Sequence, residues 1–403
     1  MRRRLLYILL MIIPLLGGCI SDDCTDCADM AYDTRVKLKV IWSGNLSTTK
    51  SAESPELNIN DFTLFVFNED NTLNTIKKVN NPTFSTTIPY SSSVSMNITS
   101  TAKTIYVVAN CSDLLSNSPT SSIATQVRDA MANPNPTFLK DLFDNTLAVN
   151  YNEIIENTCI VHSGKGNIVS AGEANPYNYI ATINIKPIVS KFDIKVSTIT
   201  GTTPTDYINC IENIDAFVLN SRSKAKLFSI PTIANINSNY IHGSYESFWN
   251  PYPYINFHFD NVGNTSNTLK GNLTLNNSTP LSIYSPENDT LSTLGSGYKT
   301  LVVLKVKYKM RTIEGVDEVF TRFLTVPLNP PTDSITHAPI STLSNKRGTR
   351  YTINFTLSGK YFGAMSPLSS LMQPYSPLPY KTTKNLIYVA PEDYSMVKSS
   401  VWK

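Results

Sequence analysis

The sequence predicts an all-β protein with a minor α part, built as two β-sandwich domains and closed by a strand-forming tail. Three observations carry this. Runs that alternate apolar and polar residues recur along the chain, which is the period of strands with one buried face. "LKVKYKM" sets Leu304, Val306, Tyr308 and Met310 on one side, and "YTINFTL" does the same with Tyr351, Ile353, Phe355 and Leu357. The 24 prolines and 10% aromatic residues suit short strands separated by turns. Charged residues make up only 16% of the chain, their place taken by Asn, Ser and Thr, a surface chemistry common in secreted β proteins. At 403 residues there is room for two domains.

Residues 1–18, "MRRRLLYILLMIIPLLGG", join a basic start (Arg2, Arg3, Arg4) to an apolar run of signal-peptide length. The run is shorter than the ~20 apolar residues that a membrane-spanning helix needs. It ends in Leu16-Gly17-Gly18-Cys19, which resembles a lipobox, and the Cys19 thiol would then carry lipid. Ser21, Asp22 and Asp23 resemble the surface-export signal of some Gram-negative outer-membrane lipoproteins. Two or more acyl chains tether a protein stably. The expected precursor is therefore an outer-membrane lipoprotein facing the cell surface.

"VKLKVIW" then alternates, with Val36, Leu38, Val40 and Trp42 on one face and Lys37 and Lys39 on the other. A polar loop, "NLSTTKSAESPELNIN", follows without periodicity. Strands are expected at 62–67, 104–109, 179–185, 190–196, 214–219, 300–310, 323–326 and 350–357. Helices are expected only at "SSIATQVRDAM" (121–131) and "TFLKDLFD" (137–144), each capped by Ser or Thr. A domain boundary is expected near residue 178, where "AGEANPYNY" interrupts the pattern. Pro374, Pro377 and Pro379 form a semi-rigid spacer, which is expected to hold the tail away from the strand at 350–357. The chain closes on "NLIYVAPEDYSMVKSSVWK", read as two short strands split at Pro391, because proline lacks the ladder donor.

Charge and composition exclude several functions. The chain carries 34 basic and 31 acidic residues. Cleavage before Cys19 would remove three arginines and leave a near-neutral protein, so no nucleic-acid partner is expected. Cys24-x-x-Cys27 offers two zinc ligands where four are needed, and reads as a local disulfide or two idle thiols. Cys111, Cys159 and Cys210 read as small buried residues. His162, His242, His258 and His337 lack metal-ligand spacing. "HSGKGN" (162–167) lacks the spacing of a phosphate loop and reads as a tight turn. Glu392-Asp393 reads as a solvated pair. No enzyme activity, metal or cofactor is expected.

Several stretches in order resemble the fimbrillins, the lipoprotein-derived pilins of type V pili. They are "DFTLFVFNEDNTL", "KTIYVVANCSDL", "IVSKFDIKV", "IDAFVLNSRSKAKLF", "NKRGTRYTINFTLSG" and the closing "LIYVAPEDYSMVKSSVW". The resemblance implies two transthyretin-like antiparallel β-sandwich domains, at 51–178 and 179–373, and a donor-strand tail at 374–403. It implies that a protease removes residues 19–50, the lipidated leader with its first strand (Val36, Leu38, Val40, Trp42). The groove so opened takes the tail of another pilus subunit, through Leu386, Tyr388, Val389, Tyr394, Val397, Val401 and Trp402.

By position the family's cleavage arginine is matched by Lys50, so the cut between Lys50 and Ser51 needs a trypsin-like protease. Arg35 precedes the strand, and a cut there would leave the groove filled. Without a cut at Lys50 the protein would resemble the family's membrane-anchored subunit. A reading from another class stays open: a surface glycan-binding or adhesive lipoprotein that uses the aromatic stretch "YESFWNPYPYINF" (245–257) as a stacking platform.

Overall fold

A computed structural model describes residues 34–42, 59–84, 91–156, 159–172, 177–198, 211–219, 221–229, 240–241, 270–288, 300–311, 317–327, 345–357 and 386–393. The N-terminal half contains β1 (Thr34–Trp42), β2 (Asp61–Asn68), β3 (Leu73–Asn80), β4 (Ser91–Ile98) and β5 (Ala102–Ala109). Helix α1 (Ser122–Met131) follows, then a short α2 (Phe138–Asp141) that widens into a π-turn, Leu142–Thr146. Next come β6 (Ala148–Asn150), α3 (Tyr151–Glu156), β7 (His162–Ser170) and β8 (Tyr179–Pro187).

Seven of these strands form one sheet in the order β3-β2-β5-β7-β8-β1-β4. The sheet doubles back on itself, because residues of β1, β4 and β8 share a core with the facing side of β2 and β5. The opposite side of β2 and β5 packs on the helices through Phe65, Phe67, Tyr106, Ile123, Val127 and Phe143. β2 is therefore buried on both faces, which is why "DFTLFVF" is nearly continuous in apolar residues.

The fold-back has a visible cause. β7 pairs with β8 at His162↔Pro187 and Ser163↔Lys186, then again only from Ile168↔Ala181. Between lie Gly164 and Gly166, where an added Cβ would come within 2.5 Å of the Asn184 carbonyl oxygen and 2.9 Å of the Thr182 carbonyl oxygen. The "HSGKGN" stretch is thus not the expected tight turn. It is a strand whose glycines let two backbones approach closely.

The C-terminal half contains β9 (Val189–Thr198), β10 (Ile211–Leu219), β11 (Ser221–Arg222), β12 (Lys224–Lys226), β13 (Tyr240–Ile241) and β14 (Lys270–Leu273). It continues with β15 (Leu281–Pro286), β16 (Leu301–Arg311), β17 (Asp317–Pro327), β18 (Thr349–Leu357) and β19 (Leu386–Asp393). Two four-stranded sheets, β14-β10-β16-β17 and β15-β9-β18-β19, face each other. Their core holds Phe192, Ile194, Ile214, Val302, Leu304, Val306, Ile353 and Phe355. Leu304, Val306 and Tyr308 are therefore an inward row of β16, and Tyr351, Ile353, Phe355 and Leu357 one of β18.

β8 pairs with β7 and β1, and β9 with β15 and β18, so the chain passes from one sheet to the other between Pro187 and Val189. Two expectations are corrected here. The tail segment Leu386–Asp393 is one strand running through Pro391, opposite Tyr351. It is an edge strand, where a missing donor costs no ladder bond on the solvent side. The spacer does not keep this strand away from 350–357, because β19 lies antiparallel beside β18.

The two halves interlock. β6 pairs with β12, Tyr151 enters the C-terminal core, and Ala225 and Leu227 enter the N-terminal one. Arg347 bonds Glu287 (Nε to Oε2, 2.6 Å), the Leu227 carbonyl, and the Ser229 carbonyl at 3.1 Å. Gly348, at φ +66°, turns the chain into β18 and donates its N–H to the Val189 carbonyl at 2.8 Å.

Candidate strand-exchange site

β1 occupies an internal slot of the seven-stranded sheet, between β8 and the edge strand β4. It runs antiparallel to β4, from Thr34↔Ile98 to Ile41↔Ser91, and parallel to β8, from Val36↔Tyr179 to Trp42↔Ile185. Both of its backbone edges are thus committed to ladders, although it is the first of the described strands. Val36 and Leu38 are 0% exposed and pack with Phe62, Leu64, Val66, Ile105 and Val107 across the core. Leu38 is set between Val94 on β4 and the small Ala181 on β8. Lys37 and Lys39 face outward, and Lys37 lies 5.2 Å over the Tyr177 ring. In backbone register Val40 lies opposite Ser92 and Ile183, and Trp42 opposite Ile185.

Removing β1 would expose two unpaired strand edges, β4 and β8, above an apolar trench floored by β2 and β5. Each buried side chain lost would forgo about 1.5–3 kcal/mol. Unpaired edges are templates for another chain. Arg35 sits inside the β1–β4 ladder opposite Asn97, so its peptide bonds are held in a sheet and not presented to a protease. Lys50 and Ser51, expected as the cleavage pair, and Cys19, expected to carry lipid, lie outside the described residues. Of the expected donor residues, Leu386, Tyr388 and Val389 lie on β19, opposite Thr356, Asn354 and Ile353. Tyr394, Val397, Val401 and Trp402 lie outside the described residues, as do Cys24, Cys27, Cys210 and the aromatic stretch 245–257.

A second feature of the N-terminal half is a cavity of about 430 Å³ lined by Asp61, Asn110, Cys111, Asp113, Ser121, Glu153 and Cys159, among others. Its polar groups are bonded to one another. Asp113 accepts from the backbone of Thr120 and Ser121 at 2.9 and 2.8 Å and from the Ser121 hydroxyl at 2.8 Å, and so anchors the N-cap of α1. Glu153 accepts the Ser122 N–H at 2.9 Å. Burial pushes the Cys111 thiol up to about 12, so it is a protonated, unreactive group, as its reading as a small buried residue expects. Among the described residues no group of three or more His, Cys, Asp or Glu could hold a metal ion.

Burial acts to raise the Asp113 carboxyl, but the bonds from Ser121 and Thr120 outweigh it and bring it down to about 2. Asp144 is likewise brought to about 2: burial is outweighed by bonds from Lys140, Lys165 and Tyr106. A carboxyl depressed on folding stabilises the fold above its unfolded value near 3.8, and that stability is lost as pH falls toward 2. The melting temperature of the N-terminal half is therefore expected to fall between pH 4 and pH 2. Asp113→Ala should flatten this fall, and should cost about 1–2 kcal/mol at pH 7 through the weakened α1 cap. Thermal melts at pH 7, 4, 3 and 2 check both points; a profile unchanged by the substitution would contradict them.

No family model matches the chain, and no curated protein does. Among solved structures, a protein from Bacteroides eggerthii assigned to cell adhesion superposes with a TM-score of 0.53 at 16% identity, over 89% of this chain and 96% of that one. A protein from Parabacteroides distasonis with the same assignment reaches 0.48 at 12% identity, over 89% and 99%. A fimbrilin from Porphyromonas gingivalis reaches 0.49 at 12% identity, over 89% and 97%. The first of these likenesses establishes the fold, which is the kind of fold the sequence resemblance implied. β4 and β7 are the elements of the site that sequence reasoning missed. The alternation of Val94, Met96 and Ile98 was the available signal for β4.

Proposed function

We propose that this chain is a structural subunit of a surface pilus, exported as a lipoprotein through Cys19 and polymerised by protease-triggered donor-strand exchange. The observation that carries the reading is the position of β1, the first of the described strands, which is paired on both edges between β8 and β4 and followed by a polar loop that contains Lys50. A cut after Lys50 by a trypsin-like protease would separate β1 from the rest of the sheet by chain, and its departure would open the trench. The tail of another subunit would then enter by strand addition, its main chain bonding β4 and β8 and its alternate side chains taking the places of Val36 and Leu38. Each buried apolar side chain would return about 1.5–3 kcal/mol, against about 1–2 kcal/mol per residue ordered. The two ladders therefore decide the strength of the joint. Such a contact is head-to-tail and builds an open filament. The surface assignments of the similar structures, cell adhesion and fimbrilin, fit this role, and nothing in the described residues supplies a catalytic constellation.

A second reading is favoured by one observation. β1 is seated and β19 is paired to β18 of its own chain, which is the arrangement that a membrane-retained anchor subunit would keep. N-terminal sequencing of protein sheared from the cell surface separates the two. A start at Ser51 in material that runs as a ladder of multimers is the expected result. A blocked, lipidated Cys19 in material that stays with the membrane would overturn the polymerising role and leave the anchor.

A further inference from the structure

Among the described residues every strand ladder is antiparallel except two. The exceptions are β1 with β8 and β9 with β18. They are also consecutive along one line through the molecule. β8 ends at Pro187 and β9 begins at Val189, so a single residue, Ile188, joins them. β18 then leads by its C-terminal end toward the spacer and the tail.

We propose that the β9–β18 ladder is the tension-bearing link of the subunit, loaded in shear when the molecule is pulled between its slot and its tail. The proposal rests on the slot-and-tail reading given above. A strand seated in the slot in the direction of β1 is pulled by its N-terminal end, while its parallel neighbour β8 is pulled by its C-terminal end. The force passes through Ile188 to the N-terminal end of β9 and leaves by the C-terminal end of β18. Two parallel strands pulled at opposite ends slide along each other, so all their lateral bonds share the load. Strands pulled from the same end open one bond at a time. The β9–β18 register runs from Arg350↔Lys191 to Leu357↔Thr198 without a shift, so no bulge concentrates the load.

Polar groups tie the loaded end of β9 to the start of β18. The Arg350 guanidinium donates to the Asp193 carboxylate (Nε to Oδ2, 2.5 Å), and Ser282 on β15 donates to the other oxygen at 2.5 Å. Asp193 is 1% exposed, so these charge-assisted bonds are little weakened by water. The Asn345 amide donates to the Ser190 hydroxyl at 2.7 Å, and the Gly348 N–H donates to the Val189 carbonyl at 2.8 Å.

The test is single-molecule pulling of the full chain in two geometries. One protein carries attachment tags after Gly172 and after Leu357, which loads β9–β18 in shear. The other carries tags after Thr198 and after Leu357, which peels the same ladder from one end. Rupture force is expected to be several-fold higher in the first geometry, and equal forces would overturn the proposal. Asp193→Asn, in the first geometry alone, is expected to lower the force; an unchanged force would also count against it. Forced rupture reports the unfolding barrier and not the equilibrium stability, so a lowered melting temperature cannot stand in for either result. The outcome is independent of pilus assembly, which the sequencing experiment judges separately.

Discussion

Gly164→Val is expected to abolish folding of the N-terminal half. A Cβ at this position would stand 2.5 Å from the Asn184 carbonyl oxygen and within 2.8 and 2.9 Å of the Ile185 and Ile183 side chains. The nearest obstacle is backbone of the adjoining strand, which cannot rotate aside as a side chain could. The site is also the place where the seven-stranded sheet turns back, so relieving the clash would separate β7 from β8 and open the core that β1 shares with β2 and β5. Overpacking in a core costs about 1–3 kcal/mol where neighbours can shift, and values above about 4 are expected where they cannot. Gly164→Ala carries the same first carbon and should be nearly as damaging. Urea unfolding followed by far-ultraviolet dichroism and tryptophan emission checks this; a wild-type midpoint for the alanine variant would show that β7 and β8 can move apart without loss.

Leu38→Asp should have the second largest effect, and a conditional one. The side chain is 0% exposed, among Phe62, Leu64 and Val107. Replacing it gives up about 1.5–3 kcal/mol of apolar burial, and an unpaired buried charge adds about 3–5 kcal/mol. The total is comparable with the whole stability of an ordinary domain. If β1 is discarded at maturation, this penalty belongs to the precursor only. Protein cut after Lys50 and supplied with a synthetic peptide of residues 385–403 should then melt as the wild type does. A deficit that persists after cutting and peptide addition would mean that β1 stays, and would remove the basis for exchange.

Strands with one wet face were legible, because burial imposes a two-residue period on β1, β16 and β18. β2 was legible for the opposite reason, since both of its faces are covered and it reads as an apolar run. β7 was not. Its sequence serves the crossing over β8, and Gly164 and Gly166 imitate a turn. Pro391 misled in a related way, since the rule that bars proline from strands is relaxed at the edge that β19 occupies. The alternation of β1 announced a strand but not its neighbours. β8 is far away in sequence, and a parallel pairing leaves no hairpin signal to find. The change of sheet at the Pro187–Val189 step was hidden for the same reason: β8 reads as an ordinary strand, and only its partners show which sheet owns it.

The parallel seating of β1 against β8 also has a consequence for the order in which the molecule takes shape. The strand made first can gain its second ladder only when β8, the last strand of its sheet, has emerged. Pairings between such distant segments incur their loop-closure entropy before any contact compensates it, and they fold slowly. Until then β1 has β4 alone beside it, and the core it shares with β2 and β5 lacks the wall that β8 supplies. Closure of the N-terminal half is therefore set by the meeting of the two strands of its sheet that lie farthest apart in sequence.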